Sequence, residues 1–293
     1  MTNGKVQGRM TMEDTQRRRE AVETIHDVVS AMRAVAAGRI QGAQRALAAS
    51  RNYEALVARG LTVLPDSALR LPEPPRDAPT LLVVMLSEQP LCGAFNHELL
   101  PLCQRRRREL AAIGPVRLLA VGQRGTRLLA SHDVVPDDVL AGAASLHGLR
   151  DLVKRIAAPI GRDYAAGRLA AVRVLYNRYR SVTEYVPTES QVLPAETIEP
   201  AAGARGTARR VNRFLSDAEL LAGLVSELAF INLFRIAADS FASEQAARLV
   251  AMDGATHNTE RLARELKDLE QRERQGEITR QVLELIGARF AAR

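Results

Sequence analysis

The chain has 293 residues, 46% of them hydrophobic and 26% charged, with a net charge of +7. Such a composition supplies a real core and excludes a disordered tail. No stretch of 18 or more apolar residues occurs and Met1–Glu20 carries no apolar run, so neither a membrane span nor a secretory signal is expected.

Proline divides the chain. All 13 prolines lie between Pro65 and Pro200, which permits a long helix on either side. In the first segment, small or apolar residues recur at Val22, Ile25, Val29, Met32, Ala36, Ile40, Ala43, Leu47 and Ser50, in steps of three and four. This is a coiled-coil seam with one stutter at Ala36–Ile40, and it predicts a helix from about Met12 to Leu64, ~80 Å long.

The middle reads as α/β. Thr80–Ser87 is a continuous apolar run, as a strand covered on both faces requires. A helix is predicted over Leu99–Ala112, with Pro101 in its first turn, then a strand over Val116–Val121. A short helix over Gln123–Ser131 and a longer one over Leu149–Ala165 follow, then adjacent strands over Leu169–Tyr179 and Val182–Val192. The alternation implies an open, mostly parallel sheet. Beyond it, Ala238, Ala242, Gln245, Leu249, Met252, Thr256, Thr259, Leu262, Leu266 and Leu269 form a second seam, on a helix from about Phe214 to Phe290, ~115 Å long.

The expected architecture is α+α/β. A long helix over 1–64 leads through a linker at 65–79 into a Rossmann-like domain over 80–194. A second linker at 195–213 leads into a long helix over 214–293, and the two terminal helices pair as an antiparallel coiled coil.

Candidate chemistry is sparse. Gly122-Gln-Arg-Gly125 follows a strand and opens a helix, as a phosphate loop does. It completes neither G-x-G-x-x-G nor G-x-x-x-x-G-K-[ST], so a plain strand-to-helix turn is favoured and no cofactor is expected. Cys92-Gly93 lies in the turn after the first strand. His97 and His132 are possible bases by sequence, but nothing in the sequence places them beside it, and a structural turn with a small buried thiol is the simpler reading. Cys92 and Cys103 are too few for a disulfide framework, and the five dispersed histidines (His26, His97, His132, His147, His257) form no metal pattern. Arg17–Arg19 and Arg105–Arg108 sit on predicted helices, where consecutive residues diverge, so they read as solvated surface. Only Lys5, Lys154 and Lys267 among the 41 basic residues are lysines. The charge favours acidic partners. With 4% aromatics and no tryptophan, a single-strand nucleic-acid binder would lack stacking platforms, so no nucleic acid is expected.

Six segments, in order, resemble one family. Val28-Val-Ser-Ala-Met-Arg-Ala-Val-Ala-Ala-Gly-Arg-Ile-Gln-Gly-Ala-Gln44 resembles I-T-x-A-M-x-M-V-A-A-x-K-x-x-x-A-Q. Ser87–Asn96 resembles S-D-R-G-L-C-G-G-x-N, Val121–Gly125 resembles V-G-x-K-G, and Tyr176–Ser181 resembles Y-N-x-F-x-S. Phe241–Met252 resembles S-E-x-x-A-R-M-x-A-M. Arg272–Thr279, with Gly287-Ala288, resembles R-x-R-Q-x-x-I-T and a closing G-A. These are motifs of the gamma subunit of rotary F-type ATP synthases, and they cover most of 18–290. Departures at Glu88–Pro90, Ala94, Glu270-Gln271 and Gln281 resemble a divergent branch, such as the alternate F-type ATPase that some bacteria carry.

The resemblance implies a non-catalytic rotor shaft, one copy per complex, at the cytoplasmic face of a bacterial inner membrane. It implies alpha and beta subunits of a catalytic ring, an epsilon subunit and a c-ring as partners. It also implies rotor–stator contacts at Met32, Arg33, Arg274, Gln275 and Thr279, the Arg274–Gln275 pair gripping a loop of one catalytic subunit. Cys92 and Gly93 are expected to serve a structural turn. A coiled-coil scaffold or nucleic-acid adaptor, and an enzyme using the α/β domain as a dinucleotide site, are the alternatives.

Overall fold

The computed structural model describes residues 12–61, 64, 77–194 and 216–291. Both expected linkers lie largely or wholly outside the described residues. The elements in chain order are α1 (Met12–Leu61), β1 (Thr80–Met85), α2 (Phe95–Ala111), β2 (Val116–Val121), α3 (Gln123–Ala130), β3 (Asp138–Leu140), α4 (Leu146–Ala165), β4 (Ala171–Tyr179), β5 (Tyr185–Leu193) and α5 (Asp217–Ala291). The chain divides into two compact units, 35–250 and the pair 1–34 with 251–293.

In the 35–250 unit the sheet runs β3-β2-β1-β4-β5, every neighbour parallel except the β4–β5 hairpin. Both faces of β1 are buried, which is why its sequence is apolar without alternation. Leu82 and Val84 pack with α2 and α3 through Leu99, Cys103 and Leu129. Leu81, Val83 and Met85 face the other way, toward Val153 and Ile156 of α4, Ala43 and Leu47 of α1, and Leu233, Ile236 and Phe241 of α5. Farther along the two long helices, Val57 and Leu64 meet Leu228 and Ile231. One helix, α5, contains an 18-residue window of mean hydropathy 1.7, long and apolar enough to cross a membrane by length and composition. The rule of an unbroken apolar run misses it because polar residues interrupt the stretch. Leu228, Ile231, Leu233 and Ile236, from the first third of α5, are buried inside this unit.

In the other unit, α1 and α5 run antiparallel. Arg19 Nε donates to Glu270 Oε2 at 3.0 Å, His26 Nδ1 lies 3.1 Å from Thr259 Oγ1, and Arg33 donates to Asp253 at 2.9 Å. The contact row keeps Val22, Val29, Met252, Thr256 and Leu266 of the sequence seam and departs from it at Ile25, Leu262 and Leu269. Ile25 is 53% exposed and His26 takes its place between Val22 and Val29. Leu262 and Leu269 are likewise exposed, and the half-buried Ala263 and Glu270 flank the buried Leu266. Steps of three and four fit either row, and polar cross-helix bonds select the second.

Several boundaries differ from expectation. α2 starts at Phe95, so Pro101 lies in its second turn. Pro101 is exposed, where the His97 carbonyl that it leaves without an N–H partner can turn to water. α4 starts at Leu146, because Ser145 Oγ accepts from the Gly148 amide and caps it. β5 starts at Tyr185, because Arg180–Glu184 close a turn. β3 has no apolar signature and is set by pairing with β2, extended by Gly122 N donating to Leu140 O at 2.9 Å.

Candidate functional site

The turn after β1 is held by several side-chain hydrogen bonds. The Ser87 amide donates to Asn96 Oδ1 at 2.9 Å, and Asn96 Nδ2 donates to Ser87 Oγ at 2.7 Å. Cys92 is buried beside Phe95, Ala247 and Tyr185, and burial pushes its thiol upward. No hydrogen bond joins it to a histidine among the described residues: His97 is exposed, and His132 caps the end of α3 through the Leu128 carbonyl. A thiol held protonated without a base is a poor nucleophile. Gly93 adopts φ +53, the left-handed region that favours glycine, against the backbone of α5 at Ala247. Cys103 is pushed up to about 11 by burial and is likewise inert.

The Gly122 turn has the backbone of a phosphate loop, but its amide is already occupied. Glu88 Oε2 accepts from the Gln123 amide at 3.1 Å, at the N-terminus of α3, and from the Gly142 amide at 2.7 Å. A resident carboxylate thus stands where a nucleotide phosphate would approach the carboxyl ends of β1 and β2. Gly122 itself sits at φ +109, and a Cβ there would strike Leu86 O.

Sequence reasoning placed Glu244 and Arg248 inside the S-E-x-x-A-R resemblance but gave them no role. Arg248 is 3% exposed, and its Nη2 donates to Glu244 Oε1 at 2.6 Å. Its Nε and Nη2 also donate to the carbonyls of Gln89 and Pro90 at 3.3–3.4 Å. One turn before, Ser243 Oγ donates to Asn177 O, and Asn177 Nδ2 donates to Phe95 O, both at 2.8 Å. The β1 turn, β4 and α5 are therefore joined by buried, directional bonds. The available signal was the i, i+4 Glu–Arg pair inside an otherwise small-residue stretch.

The expected rotor–stator residues lie in the other unit. Met32 is half-buried, and Arg33 is held by Asp253. Arg274, Gln275 and Thr279 are exposed, the Thr279 hydroxyl donating to the Gln275 carbonyl at 2.8 Å. Arg274 joins Arg19, Lys267, Glu270 and Gln271 around a polar hollow of ≈230 Å³. Among the described residues no group of three or more His, Cys, Asp or Glu is placed to hold a metal. A larger groove of ≈1760 Å³ in the 35–250 unit has a mainly apolar floor that includes Leu221, Val225 and Phe234.

A family model described as "ATP synthase" matches residues 11–291. The ATP synthase gamma chain of Methylobacterium sp. is 31% identical over 288 residues, covering 94% of this chain and 97% of its own. The chain belongs to the ATP synthase gamma-chain family. The gamma chain of Granulibacter bethesdensis is 33% identical, with 91% and 94% covered. Among solved structures, the central stalk of the Tetrahymena thermophila mitochondrial ATP synthase superposes with a TM-score of 0.58 at 20% identity, covering 78% of this chain and 99% of that one. A chain of the Euglena gracilis mitochondrial ATP synthase gives 0.59 at 14% identity, with 96% and 94% covered. These two likenesses establish the shared fold. As a member of this family the chain is a non-catalytic, central rotor-shaft subunit of the F1 sector, a peripheral part of a membrane-associated machine.

Proposed function

We propose that the chain transmits torque between an ion-driven c-ring and a catalytic ring of alternating alpha and beta subunits. One copy serves each complex, at the cytoplasmic face of a bacterial inner membrane, with an epsilon subunit beside it. Rotation of the shaft sets the nucleotide affinity of each catalytic site in turn, a coupling between rotor angle and binding free energy. The chain needs no cofactor for this, and Cys92 and Gly93 serve only the turn in which they lie.

The observation that carries the reading is the antiparallel pairing of two long helices. Their bonds across the pair run through Arg19, His26 and Arg33, while Arg274 and Gln275 stay exposed. Met32, Arg33, Arg274, Gln275 and Thr279 are the contacts to the ring. A guanidinium pairs bidentately with carboxylate, and the neighbouring amide both donates and accepts. Bonds to charged groups are worth about 1.5–3 kcal/mol each, enough to bias a dwell and small enough to release every turn.

The test is Arg274→Ala with Gln275→Ala in the reconstituted complex. Assembly and the melting curve of the lone subunit should be unchanged, while steady-state ATP turnover falls several-fold. Unchanged turnover, or collapse of the subunit's own stability, would refute the contact.

A further inference from the structure

Positive charge gathers at the far end of β4 in a place that none of the contacts above uses. Val172, Val174 and Tyr176 line the sheet face buried toward α1 and α5, and strand alternation continues that row to Arg178. Arg180 follows as the chain turns. α5 contributes Arg235 and, one helical turn later, Asp239. Arg51 of α1 lies two residues from Tyr53, whose Oη donates to Glu227 of α5 at 3.0 Å, and its charge also reaches Asp239. Asp239 is 9% exposed, and the charges acting on it are Arg235, Arg178, Arg51 and Arg180.

The charges of four arginines thus act on one carboxylate. Among the described residues none of the four makes an ion pair within 4 Å, and the Nε atoms of Arg178 and Arg235 are buried without a hydrogen-bond partner. Arg235 is steadied by Asn232, whose Oδ1 accepts from its Nη2 at 2.7 Å. Guanidinium donors withdrawn from water and left without acceptors carry a desolvation penalty that an incoming acceptor removes. We propose that Arg51, Arg178, Arg180 and Arg235 form a docking patch for an acidic segment of a partner protein, with spaced Asp or Glu carboxylates seated on the guanidinium forks around Asp239.

The chemistry favours separate carboxylates over a free phosphate or a lipid surface. The patch draws on mid-helix positions of α1 and α5 and on a strand end, so no helix N-terminus or nest of backbone amides converges there to cradle a single oxyanion. The central carboxylate obliges acceptors to dock around it. A peptide with spaced acids does so, whereas a dense array of phosphates would lie over it. Arginine matches carboxylates bidentately, which gives such a site geometric as well as electrostatic selectivity. The inference stands on these residues and is independent of the rotary reading.

The experiment uses the full chain and a labelled hexaglutamate peptide, with inorganic phosphate and phosphatidylglycerol vesicles as parallel probes. Arg178→Gln with Arg235→Gln should weaken peptide binding at least tenfold. Arg124→Gln with Arg127→Gln, an equal change of charge at exposed positions of α3, should change it less than twofold. Asp239→Asn should tighten it several-fold. If the first pair compromises folding, as judged by circular dichroism, the exposed pair Arg51→Gln with Arg180→Gln replaces it, with a several-fold loss expected. The proposal fails if the peptide does not bind, or if the control pair weakens it as much as the cluster pair. It also fails if phosphate or vesicles bind more tightly than the peptide with the same arginine dependence.

Discussion

Replacing Arg248 with methionine tests whether the buried bonds between α5 and the β1 turn carry stability. The substitution removes the cation paired with Glu244, itself 6% exposed, and takes donors from the carbonyls of Gln89 and Pro90. Burial already pushes the Glu244 carboxyl upward, and Arg248 is the main influence holding it down. Breaking such a pair from one side costs about 3–5 kcal/mol, because the remaining charge is left buried. Glu244→Gln keeps a hydrogen-bonding group and should cost about 1–2 kcal/mol. The double variant should fall short of the sum by at least about 1 kcal/mol, since the two changes remove one interaction. All five tyrosines (Tyr53, Tyr164, Tyr176, Tyr179, Tyr185) lie within the 35–250 unit, so tyrosine fluorescence during urea unfolding reports that unit. A loss below about 1 kcal/mol for Arg248→Met, or strict additivity in the double variant, would refute the reasoning.

Glu88→Ala strips the acceptor from two backbone amides and should lower the stability of the same unit by about 2–4 kcal/mol, read from the same urea transition. Asp239 supplies a pH test. Burial, opposed by the four arginines, holds its carboxyl above the usual range, so the native state binds a proton more readily than the unfolded chain. Stability therefore falls as pH rises from the unfolded value near 3.9 through the raised native one, and stays lower above it. Asp239→Asn should flatten that limb and leave the chain slightly more stable at pH 7, as melting curves from pH 4 to 8 will show. Met32→Lys adds a charge that seeks acidic partners and should lower ion-driven ATP synthesis more than assembly, and synthesis equal to that of the unmodified complex would count against a ring contact at Met32.

The parts of the fold legible in the sequence were those written as periodicity or as unbroken apolarity. β1 and β2 announce themselves because both faces are buried, and the two long helices because proline is confined between them. The seam phase was harder to read. A count of apolar residues prefers Ile25, Leu262 and Leu269, yet the structure turns these out and brings His26 and the Arg19–Glu270 pair into the contact row beside the expected Thr259. Hydrophobic spacing carries no information about such pairings until the register between two helices is known. Distance in the chain hid the rest. Glu88 reaches Gly142 across 54 residues, and Arg248 reaches Pro90 across 158. The charges of Arg51, Arg178 and Arg235 act on one carboxylate only because three elements converge.

The three departures from the expected seam bear on the proposed role. In the 1–34 and 251–293 unit, Val22, Val29, Met252 and Leu266 are buried. Ile25, Val28, Leu262 and Leu269 are exposed, Ile25 and Val28 by more than half. A pair built for its own stability would place its larger aliphatic side chains inside, since burial returns about 25 cal/mol per Å². Here polar bonds hold the helices together, and much of the apolar surface is offered to something else. Exposed apolar surface on this scale is a liability for a protein that stands alone and an asset for one enclosed by partners. Apolar contact with a surrounding ring is non-directional and does not favour one rotor angle strongly, as turning inside the ring requires. Angular preference then falls to the few charged or amide side chains on the outer face, which is the part proposed for Arg274 and Gln275.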